Sequence, residues 1–318
     1  MISFAKVLLL IIGIMVLSMN TTCGQEYPNR PIRFVTSTPG GGNDYSARLI
    51  AQAITGSLGQ QVIVENRAGI ITIETVAKAL PDGHTILFQS DPFWTLPFFQ
   101  AVSYDAVKDF SPISLTGRTP AILVVNPSVA ATSVKELIAL AKAKPGELNY
   151  GNAALGSATH LGAELFKSMA GVNMVSIRYK GSGGAITDLI GGQVQVMFAV
   201  ASSVTQHVKS GRLRALAVTT AEPSALAPGL PTVAASGLPG FQAASTQGLW
   251  VPAKTPAAII ARLNQEIVRA INRPDVKGKF FAAGVETVGT TPEQFAAYIV
   301  NDRANVEKLV KTTGLRAN

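Results

Sequence analysis

Between Ile32 and Thr219, short strand-like runs alternate with stretches that carry apolar residues at helical spacing. Ile32–Ser37, Val62–Glu65, Thr85–Ser90, Ala121–Asn126, Val175–Tyr179, Val194–Val200 and Leu213–Thr219 read as strands. After the first of them, Tyr45, Leu49 and Ala53 form one stripe, with Ile50, Ile54 and Leu58 beside it. Parallel strands need a crossover between them, and a helix is the usual one. The alternation therefore predicts an α/β fold of βαβ units. Helix ends are marked as well. Ser133 and Glu136 have the spacing of a capping box, in a helix that Pro145-Gly146 ends. Thr255-Pro256 and Thr291-Pro292, the latter with Gln294, mark two further starts. Pro, Gly, Ala and Ser dominate Glu222–Gly240, which reads as a connection over the surface.

The first 24 residues read as an export signal, with Lys6 ahead of an uncharged run, Val7–Leu17, and small residues at Thr22 and Gly24. That run is shorter than the ~20 apolar residues that cross a bilayer. Roughly 290 residues remain, enough for two packed lobes. Cys23 is the only cysteine and falls within the signal, so disulfides and thiol chemistry are not expected. Hydrophobic residues make up 47% of the chain and charged residues 14%, a globular balance. The net charge of +8 favours anions. Lys and Arg do not cluster among aromatics, so no nucleic-acid partner is expected.

The residues of most catalytic constellations are missing. His84, His160 and His207 show no metal-ligand spacing, and no Gly-x-Ser-x-Gly elbow occurs. Gly181-Ser182-Gly183-Gly184 lacks the Gly-Lys-Ser/Thr ending of a phosphate loop. No enzyme, metal or cofactor is expected. What stands out is a pair of strand-to-helix loops, Thr38–Asp44 and Asn152–His160, rich in glycine and hydroxyl groups. Glycine lets the backbone approach a ligand, and a helix start presents unpaired N–H groups with a partial positive charge. Such a pair can hold an anion without Arg or Lys. The same residues would also serve as tight turns, with Asn43, Asp44 and Ser157 as helix caps.

The chain resembles the receptor proteins of tripartite tricarboxylate transporters, the Bug receptors, from about Tyr27 to its end. The markers run from Tyr27-Pro28-Asn29-Arg30-Pro31-Ile32-Arg33 through Gly40–Gly42 with Asp44, Glu65-Asn66-Arg67, Pro81–Thr85, Asp109–Pro112 and Leu148–Gly151. They continue with Gly156–Leu161, Tyr179-Lys180-Gly181, Asp188–Val194 and Leu230–Val233. The resemblance implies a two-lobe periplasmic binding protein fold of type II topology, with residues 25–125 and 248–318 in lobe 1 and 126–247 in lobe 2. It implies a small carboxylate in the cleft, a periplasmic location, and membrane subunits of such a transporter as partners. The ligand contacts it points to are Gly40, Gly41, Gly42, Asp44, Ser90, Gly156, Ser157, Thr159 and Tyr179. A ligand-sensing partner of a membrane signalling protein would use the same fold and cleft. The first loop is one residue shorter than the family pattern, and the loop after Asn66-Arg67-Ala68-Gly69 is also short. Ala199 stands where Asp or Asn is common.

Overall fold

The computed structural model describes residues 27–152, 156–179 and 181–315, so the expected export signal lies outside the described residues. Strand β1 (Ile32–Thr36) pairs in parallel with β2 (Val62–Asn66) and β3 (Thr85–Ser90). The long strand β4 (Phe110–Val125) reaches this sheet through β9 (Ala244–Pro252), which is antiparallel to both β3 and β4. A short β10 (Glu286–Thr287) pairs with β4 at Arg118 and Gly117. From Ala121 onward β4 belongs to a second sheet, antiparallel to β7 (Val196–Val200) and β8 (Arg214–Val218). Strand β5 (Asn149–Asn152) runs parallel to β7 and to β6 (Val175–Arg178). One strand thus threads two α/β lobes.

Each sheet is covered on both faces. In the first lobe α1 (Gly42–Leu58), α7 (Ala257–Ile271) and α8 (Pro274–Ala282) bury Ile50, Ile54, Ile267 and Phe280 against Phe34 and Phe88. Across that sheet α2 (Ile70–Ala77) and α9 (Pro292–Thr313) pack with Phe93, Trp94, Trp250 and Phe295. In the second lobe α3 (Val134–Ala143) and α4 (Ala158–Ala170) bury Leu137 and Phe166 against Tyr150 and Phe198. On the other face lie α5 (Ser182–Ile190) and α6 (Ala201–Lys209), with Ile186, Leu189 and Val204 buried. Along β4 the side chains alternate, Leu123 and Val125 to one core and Ile122 and Val124 to the other. A strand buried on both faces reads as continuous apolar sequence, as Ala121–Val125 does.

The chain crosses between lobes twice, and Thr219 ties the crossings together. On the outward path β4 changes partner between Pro120, paired with Ala244, and Ala121, paired with Val200. On the return path Ala243 N–H donates to the Thr219 carbonyl at 2.8 Å, and Thr219 N–H donates to the Ala121 carbonyl at 3.0 Å. Ala121 N–H in turn donates to Thr219 Oγ1 at 3.1 Å. We propose that the lobe boundaries fall at these two crossings, slightly ahead of those drawn at 125 and 248.

Several local expectations are corrected. Strand β4 begins at Phe110 rather than Ala121. Pro112, Pro120 and two register shifts obscure its first half, since proline cannot donate to a ladder. Strand β9, interrupted by Gly248, was not expected at all. Ser133 accepts from Glu136 N–H at 3.2 Å, but the Glu136 carboxylate returns to Thr132 N–H at 2.6 Å, one residue early for a capping box. Thr255 donates to the Pro252 carbonyl and leaves Pro256 as the cap. At Thr291 and Gln294 the reciprocal box forms as expected. The 222–240 connection also reaches inward, burying Val233 and Leu238.

Gly248 sits where β3, β4 and α9 converge. A Cβ there would lie 2.5 Å from the Phe295 ring and 2.7 Å from the Ser114 carbonyl oxygen. Gly248→Ala should therefore cost about 1–3 kcal/mol in urea unfolding. Gly56→Ala, in open space within α1, should stabilise by up to about 1 kcal/mol. Equal effects of the two substitutions would contradict this packing.

Candidate functional site

The first loop follows the carboxyl end of β1 and opens α1. Thr38 through Gly42 are exposed, and Gly41 caps the helix through its backbone alone. Gly40 has φ 79°, a left-handed conformation that glycine adopts without strain. Its N–H donates to Asp44 Oδ2 at 2.9 Å. Asp44 is buried, and its other oxygen accepts from Arg48 Nε at 2.9 Å and Asn66 Nδ2 at 2.8 Å. Burial alone would raise the Asp44 carboxyl, but hydrogen bonds from Asn66, Gly40 and Arg48 outweigh it and hold it below the usual carboxylate range. Asn66 also donates to the Ser37 carbonyl at 2.6 Å. Among the described residues, the N–H groups of Gly41, Gly42 and Asn43 find no intramolecular acceptor.

The second loop follows β5 and opens α4, and it repeats this construction. Gly156 has φ 74°, and its N–H donates to His160 Nδ1 at 3.1 Å. In both loops a left-handed glycine sits one residue before the helix cap and bonds to a side chain three residues beyond the cap. In the first loop that acceptor is an anion; in the second it is an imidazole. Accepting at Nδ1 requires the neutral ring, and burial holds the His160 pKa below its usual value, against the opposing charge of Glu164. Ser157 Oγ accepts from His160 N–H at 3.3 Å and lies 3.1 Å from Thr159 Oγ1. The Ala158 and Thr159 N–H groups have no intramolecular acceptor among the described residues.

The remaining expected contacts fall at other strand ends. Ser90 closes β3, where Asn43 Nδ2 reaches Gln89 Oε1 at 2.9 Å and Ser90 Oγ at 3.4 Å. Tyr179 follows β6 and donates its hydroxyl to Asp188 Oδ2 at 2.7 Å. Its ring lies over Gly151 and Gly184, where a Cβ would meet it at 3.7 and 3.5 Å. Ala199 is buried in the apolar cluster under α5 and α6. Sequence reasoning gave Asn66 only as part of a family marker and did not single out Arg48 or Phe99. The four-residue spacing of Asp44 and Arg48 was a readable signal. Nothing in the sequence marked Phe99, whose ring would lie 3.1 Å from a Cβ at Gly156 and so packs the first lobe against the second loop.

Two α/β lobes on a two-strand hinge, with helix-start loops at the carboxyl ends of β1 and β5, form a periplasmic binding protein fold of type II topology. The chain belongs to the tripartite tricarboxylate transporter family of receptors, whose family model matches residues 46–315. It is 36% identical to protein BugT of Bordetella pertussis, across 97% of this chain and 98% of that one. It is 34% identical to Rpa4515 of R. palustris, solved with adipate, with a TM-score of 0.74 over 91% of this chain and 99% of that one. MatC from Rhodopseudomonas palustris, solved with bound malate, is 27% identical with a TM-score of 0.70 over 89% and 100% of the two chains. A TctC solute-binding protein from Polaromonas without ligand gives a TM-score of 0.83 at 25% identity, over 90% and 99%. Among the described residues, no helix is long and apolar enough to cross a membrane.

The hydrogen bonds around Asp44 make a test of the first loop. Asp44→Asn should lose about 1.5–3 kcal/mol at neutral pH, the worth of a hydrogen bond to a charged group. Because the folded carboxyl titrates low, its stabilisation is complete above the unfolded value of about 3.9 and fades as pH falls through the folded value. Wild type and variant should converge in acid during urea titrations. A gap that does not depend on pH would contradict this electrostatic account.

Proposed function

We propose that this protein is an exported receptor that captures a small carboxylate between its lobes and presents it to the membrane subunits of a tripartite transporter. One observation carries the reading: each lobe has a loop of the same construction, with N–H groups at the start of a long helix that find no acceptor among the described residues. A helix start attracts negative charge, and a carboxylate can accept from several N–H groups at once. Gly41 and Gly42 with Ser90 supply the first-lobe contacts, and Ser157 and Thr159 the second. Gly40, Asp44 and Gly156 act as positioning residues, since their polar groups are turned onto the loops themselves. Tyr179 forms a wall of the second lobe. The reaction sequence contains no bond-making step.

Capture begins at one loop. The second loop then reaches the same anion, and the ligand's differential affinity shifts the population toward the closed form. Adipate and malate occupy two similar receptors, which supports a dicarboxylate or related acid here. The unliganded Polaromonas receptor superposes better than either, despite its lower identity, as expected if lobe angle differs between free and bound receptors. The 1–24 signal supports a periplasmic location.

Adipate or malate should raise the melting temperature, and adipamide should not. At 100 times the dissociation constant the stabilisation is about 2.7 kcal/mol. Ser157→Asp should keep the unliganded melting temperature, because Asp caps a helix as well as Ser, yet should bind the acid about 100-fold more weakly. Ser210→Asp, at an exposed turn after α6, should bind as wild type does. Equal shifts from acid and amide, or wild-type affinity in Ser157→Asp, would overturn the reading.

A further inference from the structure

A crevice of about 600 Å³ is lined by α4 of the second lobe, α9 of the first, and Ala243 and Ala244 of the return crossing. Ala158, at the start of α4, borders it, while Gly41, Gly42, Ser90, Ser157 and Thr159 lie outside it. Leu161 and Leu165 from α4 pack with Val306 and Leu309 from α9 in one apolar cluster that borders the crevice. The polar part holds two carboxyl groups, Asp91 and Asp302, beside Tyr298.

Asp91 is buried directly after β3. Its Oδ1 accepts from Ser245 Oγ at 2.7 Å and Thr246 N–H at 3.0 Å, both in the hinge strand β9. Asp302 Oδ2 accepts from Trp94 Nε1 at 2.7 Å. Among the described residues, neither carboxylate forms a salt bridge; the neighbouring Arg303 donates to the Trp94 carbonyl and stacks over Phe98. Lys308 stands exposed at the crevice mouth. Buried carboxylates without a countercharge are costly. Asp91 registers that cost: burial, reinforced by the nearby Asp302 charge, lifts it to about 6 despite the bonds from Ser245 and Thr246. Burial raises Asp302 as well.

We propose that this crevice is a second ligand site, which takes a small organic ammonium on a short apolar chain. Asp91 and Asp302 receive the ammonium, and the Leu161, Leu165, Val306 and Leu309 wall receives the chain. An ammonium supplies the missing charge and donates in three directions, which suits two carboxylates that each have an oxygen to spare. No third Asp, Glu, His or Cys joins them among the described residues, so the donor set suits an organic cation better than a metal ion. The occupant would touch both lobes and the hinge strand, and would respond to the lobe angle.

The probe is pentylammonium, titrated calorimetrically into the mature protein at about pH 8, where Asp91 is ionised. It should bind one to one, and 1-pentanol, which lacks the charge, should not compete. Asp91→Asn keeps an acceptor for Ser245 and Thr246, and Asp302→Asn keeps one for Trp94, so both variants should fold. Each should weaken pentylammonium binding about tenfold or more. Ser157→Asp should leave it unchanged, which separates this site from the carboxylate site. No saturable binding to wild type, equal competition by 1-pentanol, or wild-type affinity in both Asn variants would overturn the proposal.

Discussion

Strand β4 is hydrogen-bonded into two sheets, and the lobe arrangement follows from that. A strand buried on both faces cannot slip register without moving every side chain to the wrong core. Its partner change at Pro120 and Ala121 is therefore a fixed point, where proline offers no N–H to bridge the two ladders. Thr219 brings the return crossing to the same point through its backbone and its hydroxyl. Two adjacent crossings make a narrow hinge, while the lobes on either side have complete cores of their own. Rotation about such a hinge can proceed without repacking either core, as domain closure requires.

The loops at the strand ends use the backbone as the charged group. A left-handed glycine before each helix cap turns the chain, and its N–H is held by the side chain three residues beyond the cap. That clamp fixes the direction of the next N–H groups before any ligand arrives, and preorganised donors lose little entropy on binding. The two clamps differ in charge. Asp44 carries a negative charge near the first loop, and Arg48 sits against it. His160 is a neutral acceptor, so the clamp of the second loop adds no charge of its own at the start of α4. Phe99 links the halves, because its ring fills the space that any side chain at position 156 would need.

Much of this fold was legible in the sequence, and the failures have physical causes. Thr85–Ser90 stands as expected, because its apolar run is continuous and a Pro-Asp-Gly turn announces it. The two strands that build the hinge were the hard ones. The first half of β4 carries Pro112, Gly117 and Pro120, and β9 carries Gly248, all residues that signal turns in isolation. They are tolerated because of tertiary contacts: Gly248 makes room for Phe295, and Gly117 for Val285 and Gln247. Both helix-start loops were visible as glycine and hydroxyl clusters. Which of their groups point outward was not visible, since that depends on Asn66 and His160 acting through space. The crevice behind the hinge had no sequence signature, because Asp91 and Asp302 meet only through the packing of α9 on the first lobe.

The central claim is that one carboxylate draws the two lobes together about the Thr219 hinge. Small-angle X-ray scattering from the purified mature protein, with and without a saturating carboxylate ligand, tests it most directly. The account predicts a smaller radius of gyration in the liganded protein, with the compactness of each lobe unchanged. Stoichiometric binding with no change in the radius of gyration would contradict it.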